Sequence, residues 1–149
     1  MPNPPRRRFL QLLSGSALGG TALAACGADG EGSVPELVGP VPAGDVASVS
    51  LGTLKFVEKF PLILGRDAAG LYAMTAVCTH AGCSMATQGR IVGGVITCEC
   101  HGAKFDGVGK VLRGPASRPL VHFQVDVAAN GEITIQAGTE VSEATRAAI

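Results

Sequence analysis

The chain has 149 residues, with 12 Lys and Arg against 12 Asp and Glu, so its formal charge is zero and it lacks the basic surplus of a nucleic-acid binder. A hydrophobic content of 46% excludes a wholly disordered chain, and the length allows one ordinary domain rather than two. Glycine is over-represented, 21 of 149 against an ordinary usage of about 7%, and five Cys, an odd number, cannot all pair within the chain.

In chain order, the first 26 residues read as an address. Three arginines, Arg6 to Arg8, precede an apolar stretch from Phe9 to Ala25 that ends Leu23-Ala24-Ala25-Cys26. A charged start, an apolar middle and small residues at the end are the parts of an export signal. Seventeen helical residues would span roughly 26 Å, short of the roughly 30 Å hydrocarbon core, so a signal is preferred to a permanent span. Arg6-Arg7-Arg8-Phe9-Leu10 resembles the twin-arginine motif of the bacterial route that exports folded proteins. Leu23-Ala24-Ala25-Cys26 resembles a lipobox, which implies that Cys26 is acylated and becomes the mature N-terminus. Localisation to the bacterial periplasm or the outer face of the cytoplasmic membrane follows, with an N-terminal anchor on the membrane surface. Residues 27–45 are rich in Gly and Pro and read as a flexible tether with an r.m.s. reach of roughly 23 Å.

From 46 to 138 the pattern is all-β, with short Val-, Ile-, Leu- and Phe-rich runs and no sustained helical period. Strands are expected at Val46–Ser50, Lys55–Glu58, Leu62–Arg66, Leu71–Val77, Arg90–Val92, Val95–Cys98, Lys110–Leu112, Val121–Val127 and Ile133–Gln136. Asp67-Ala68-Ala69-Gly70, Gly93-Gly94 and Asn130-Gly131 supply turns, and the spacing predicts a small antiparallel sandwich or barrel. The tail, 139–149, reads as a frayed helical turn without a functional role.

Two loops interrupt the strands, Cys78-Thr79-His80-Ala81-Gly82-Cys83 and Cys98-Glu99-Cys100-His101-Gly102. Together they hold four of the five Cys and two of the three His. Each loop offers thiolate and imidazole donors, which is a metal-ligand arrangement. A Cys₂His₂ zinc site is one reading, although each arm is mixed and carries an extra Cys. Two disulfides without metal are another, which leaves both His unexplained.

Both boxes, in order and spacing, resemble the Rieske iron–sulfur family, whose pattern is Cys-Thr-His-x-Gly-Cys followed by Cys-x-Cys-His-Gly. The resemblance implies a [2Fe–2S] cluster with Cys78 and Cys98 on one iron and His80 and His101 on the other. It implies a disulfide between Cys83 and Cys100, and a cluster-shielding loop at Gly114-Pro115-Ala116. With neutral imidazoles the oxidised centre sums to zero charge and the reduced one to −1. That makes reduction easier than at a four-thiolate centre, which carries about two more negative charges. A disulfide needs an oxidising compartment, in agreement with the export signal.

Four positions depart from members of cytochrome bc-type complexes. Ala103 and Phe105 stand where those members commonly have Ser and Tyr donors, Ala81 where they often have Leu, and Glu99 where Pro is common. Fewer donors to the reduced form imply a lower potential. His122, Met74 and Met85 read as packing residues, and Lys104 and Asp106 as shaping the exit of the second loop.

The resemblance implies one-electron transfer by a membrane-tethered carrier, or by the Rieske subunit of an oxidoreductase of the quinol–cytochrome c reductase or arsenite-oxidase kind. Its partners would be redox proteins such as a cytochrome or a molybdopterin subunit. The chain shows no independent catalytic site. The alternatives are the Rieske component of a ring-hydroxylating oxygenase and a non-redox zinc-binding module.

Overall fold

A computed structural model describes residues 37–149. The expected signal with Arg6, Arg7 and Cys26, and the first part of the tether, lie outside the described residues.

The elements are strands β1 (Gly39–Asp45), β2 (Leu54–Phe56), β3 (Leu62–Asp67), β4 (Gly70–Thr75), β5 (Gly89–Val92), β6 (Val95–Cys98), β7 (Lys104–Phe105), β8 (Val111–Arg113), β9 (His122–Val127) and β10 (Glu132–Val141). The described residues add only a 3-10 turn, Val46–Ser48, and a one-turn helix α1, Met85–Gln88. The strands form two antiparallel sheets: a base sheet in the order β1-β10-β9-β4-β3-β2 and a small sheet in the order β5-β6-β7-β8. The expected all-β antiparallel fold is therefore present.

Strands β3 and β4 divide two cores. Alternate residues of a strand point to opposite faces. Leu62, Leu64, Leu71 and Ala73 pack into one apolar cluster with Val41, Val125, Ile133 and Ile135. Ile63, Tyr72 and Met74 pack into the other, with Ile96, Phe105, Cys78 and Cys98. Because both faces of β4 are covered, five of its six residues are buried. The second core joins the base sheet to the lobe that carries both Cys/His loops.

Side chains of the base sheet also hold that lobe by hydrogen bonds. Tyr72 OH donates to Gly107 O at 2.8 Å, and His122 Nε2 donates to Val108 O at 2.9 Å. These are consecutive carbonyls in the turn between β7 and β8. Asp106 closes the same turn by accepting from the Val108 and Lys110 amides at 3.0 and 2.8 Å.

The structure corrects three expectations. Residues 39–45, assigned to the tether, are strand β1. Val41 and Ala43 are buried while Pro40 and Pro42 are exposed, and an edge strand tolerates prolines that lack an N–H. Val46–Ser50 is not a strand, because the Asp45 carboxylate accepts from the Ala47 amide at 2.8 Å and caps the 3-10 turn. The tail is extended rather than helical. β10 runs on to Val141 past an irregularity near Gly138 (φ +95°), and Ala147 pairs with Leu71 through two backbone bonds of 3.0 and 2.8 Å. Arg146 reinforces that pairing, with Nε 2.7 Å from Asp67 Oδ2 and its guanidinium 4.2 Å above the Tyr72 ring.

Candidate metal centre

The first loop leaves β4 and runs into α1, and the second joins β6 to β7. They are built alike. In the first, the Cys78 amide donates to Cys83 O (2.8 Å) and the Gly82 amide to Cys78 O (2.9 Å). In the second, the Cys98 amide donates to Ala103 O (2.9 Å) and the Gly102 amide to Cys98 O (3.0 Å). Each loop thus starts on a cysteine, turns on a glycine four residues later and closes at the fifth. Gly82 and Gly102 have φ of +76° and +78°, a conformation that side chains with a Cβ rarely adopt.

The leading cysteines are the deeply placed ones. Cys78 and Cys98 are 3% and 1% exposed and carry free thiols. Burial pushes the Cys78 thiol up, the His80 amide opposes this by donating to the sulfur, and the hydrogen bond and charge of Cys98 push it up further. The Ala81 amide also donates to that sulfur. His80 and His101 are exposed, and their rings meet edge to face with centroids 4.8 Å apart. The four residues thus offer two buried sulfurs and two imidazoles at the surface. Two sulfurs and two imidazole nitrogens, one of each from either loop, are a donor set that fits a His/Cys-ligated two-iron cluster.

Cys83 and Cys100 are joined by a disulfide that bridges the two loops. Their sulfurs lie within 4.8 Å of the Cys98 sulfur, yet sulfurs already bonded to each other hold no thiolate charge. Of that trio only Cys98 keeps a free thiol.

The segment Gly114-Pro115-Ala116 follows β8. Gly114 and Pro115 are exposed, while Ala116 is buried in the core that contains Cys78 and Cys98. Thr79 Oγ1 donates to Arg118 O at 2.6 Å and ties the first loop to this segment. Beside His80 lies a groove of about 420 Å³ walled by Val77, Val121 and Phe123, with Arg118 and Glu140 at its polar edges. His122 is a packing residue, as expected, but it also holds Val108, a role that its position in a strand pattern did not signal. Thr79 and Tyr72 were not singled out from the sequence either, since their partners lie 39 and 35 residues away.

Comparison with known proteins agrees with this geometry. Residues 39–125 match the family model of the Rieske [2Fe-2S] domain. The cytochrome b6-f complex iron-sulfur subunit of Synechococcus sp. (strain CC9605) is 31% identical over 94% of this chain and 89% of its own length. Among solved structures, the plasma membrane Rieske protein PetC3 from Synechocystis PCC 6803 superposes with a TM-score of 0.50. It is 30% identical and covers 65% of this chain and 99% of its own. A chain from the complex of reduced oxygenase and oxidized ferredoxin in carbazole 1,9a-dioxygenase superposes with a TM-score of 0.51. It is 28% identical over 69% of this chain and 96% of its own. With paired Cys/His loops, a bridging disulfide and a family match across both sheets, the chain belongs to the Rieske [2Fe-2S] family.

Proposed function

We propose that Cys78 and Cys98 hold one iron and His80 and His101 the other, and that the protein is an exported, membrane-tethered one-electron carrier. The observation that carries the ligand assignment is the pair of buried free thiols, one at the head of each loop, together with two exposed imidazoles whose ring centroids lie 4.8 Å apart. When bound, a [2Fe–2S] cluster supplies a one-electron redox couple. The protein's own residues set the conditions for it. The second core keeps water from the sulfurs, and the His80 and Ala81 amides stabilise a thiolate at Cys78. The exposed imidazoles give the electron a surface edge through which to pass and offer their outer N–H groups to a partner. The disulfide holds the two loops together.

Relatives that align over nearly the whole chain are named as subunits of cytochrome b6-f complexes. This supports a cytochrome-containing, quinol-oxidising assembly over one with a molybdopterin subunit. Among the described residues no helix is long and apolar enough to cross a membrane.

The purified protein is expected to contain two irons and two sulfides per chain, and to give the EPR signal of a reduced [2Fe–2S] centre. Cys78→Ser and His101→Ala should each abolish that signal. Stoichiometric zinc with no EPR signal would overturn the reading in favour of a zinc module. Mass spectrometry of the mature chain should find an acylated N-terminal Cys26, and an unmodified Cys26 thiol would refute the lipid anchor.

A further inference from the structure

One row of the small sheet holds three cations, Arg90 and Arg113 exposed and Lys104 half-buried. Its ladders set Arg90 opposite Thr97, Thr97 opposite Lys104, and Lys104 opposite Arg113, one residue from each of its four strands. The adjacent row, Ile91, Ile96, Phe105 and Val111, faces the second core, where Ile96 and Phe105 are fully buried. Directly opposed residues share a face and successive residues alternate, so Arg90, Thr97 and Lys104 point away from the second core, and past a bulge at Lys104/Phe105, which breaks the alternation, Arg113 is exposed on β8. Across four strands it spans about 14 Å. Like charges directly opposed destabilise a sheet, so the Lys104–Arg113 pair works against the fold. Arg90 is neutralised by Glu99, 2.6 Å away, but Lys104 and Arg113 form no ion pair among the described residues. Neither does Arg118, five residues beyond Arg113.

Each of these three cations adjoins, in the sheet or along the chain, a segment of the cluster-binding region. Thr97 immediately precedes Cys98, Arg113 immediately precedes Gly114, and Arg118 lines the groove beside His80. The charge also segregates by lobe. Residues 76–121, the whole segment between β4 and β9, carry five Lys and Arg against two Asp and Glu, a formal charge of +3. Residues 37–75 and 122–149 carry four against seven, a charge of −3. A neutral protein with opposite charge on its two lobes orients itself in the field of a charged partner.

We infer that the outer face of the small sheet, with Arg118, docks a redox protein that presents carboxylates around its own electron-exchange site. The inference rests on the cluster reading above. Unpaired cations on an exposed face complement carboxylates on a partner's surface, so an acidic protein is the occupant proposed, and a membrane is left to the test.

The test uses the holoprotein, after its EPR signal and reduction potential have been recorded. Loss of that signal in the wild type would defeat the cluster reading before docking is measured. The reduced protein is then mixed, in stopped flow, with an oxidised acidic blue-copper protein; one electron leaves the iron centre and one reduces Cu(II) to Cu(I). The second-order rate should fall at least tenfold between low and high ionic strength, as electrostatic steering predicts. In the triple variant Lys104→Gln/Arg113→Gln/Arg118→Gln, with driving force corrected from its own potential, the low-salt rate should drop about tenfold. Its high-salt rate and EPR signal should be unchanged. A basic c-type cytochrome as oxidant should show the opposite salt dependence. Wild-type rates that do not fall with salt, or a triple variant with the wild-type low-salt rate, would overturn the inference. Salt-sensitive binding to phosphatidylglycerol vesicles that the variant loses, with the blue-copper rate intact, would also overturn it and assign the face to a membrane.

Discussion

Ala103 shows how one methyl group bears on the centre. Its carbonyl closes the second loop through the Cys98 amide, and its side chain is fully buried in the core that holds Cys78 and Cys98. A hydroxyl there would add a donor, and hydrogen bonds to charged groups are worth about 1.5–3 kcal/mol. If about 1.4 kcal/mol of that favours the reduced, more negative form, the one-electron potential rises by about 59 mV. Ala103→Ser should therefore raise the midpoint by tens of millivolts in a redox titration, and an unchanged or lower midpoint would refute the argument. Asp67 acts on stability instead. Partial burial works to raise its carboxyl, but the hydrogen bond from Arg146, the Ala69 and Gly70 amides and the Arg146 charge outweigh this and hold it below its ordinary value of 3.8. A depressed carboxylate stabilises the fold above its unfolded value, and that contribution is lost as pH falls through the folded one. Thermal stability should thus decline below pH 3.8 partly through this pair. In Asp67→Asn that part of the acid slope should vanish, and superimposable Tm–pH curves would count against it.

At the level of elements, the two ligand loops were legible because everything that builds them is local. The cysteines, the histidines and the turn glycines lie within six residues in each loop, and the hydrogen bonds that close each loop span four and five positions. The Cys83–Cys100 pairing was legible through family resemblance, since spacing alone left other pairings open. β1 was hidden because its Gly and Pro content masks the Val41/Ala43 alternation that an edge strand uses. The tail was misread because Ala147 takes its partner, Leu71, from far back in the chain. α1, at four residues, is too short for a helical period to register. The disulfide that joins the loops closes a span of 17 residues, which in the chain-entropy picture contributes about 3 kcal/mol. The double variant Cys83→Ser/Cys100→Ser should unfold at lower urea and lose its iron faster at the same temperature. An unchanged denaturation midpoint would show that the bridge has no part in stability.

On the scale of the whole molecule, two lobes share one apolar core, the Lys110–Glu143 ion pair and two side-chain hydrogen bonds, from Tyr72 and His122 to adjacent carbonyls. Tyr72→Phe keeps the ring, and with it the packing and the Arg146 stack, but removes the donor to Gly107 O. A cost of about 1 kcal/mol is expected, with faster amide hydrogen exchange confined to 106–110. Uniformly faster exchange, or none, would mean that the bond does not hold the lobe.

β4 and β9 are neighbours in the base sheet, paired through Ala73–Phe123 and Met74–His122, and the Thr75 amide bonds Val121 O at 2.9 Å. Seen from the base sheet, the 46 residues between Thr75 and His122 are one long hairpin connection whose ends already touch. Closure entropy grows only slowly with loop length, about 0.6 kcal/mol per doubling. Closure therefore sets little limit on the length of the insert, provided that whatever is inserted still buries Ile63, Tyr72 and Met74 on that face of the sheet. The metal-binding lobe is in that sense a cassette, free to change its surface and its partners while the sheet beneath it stays the same.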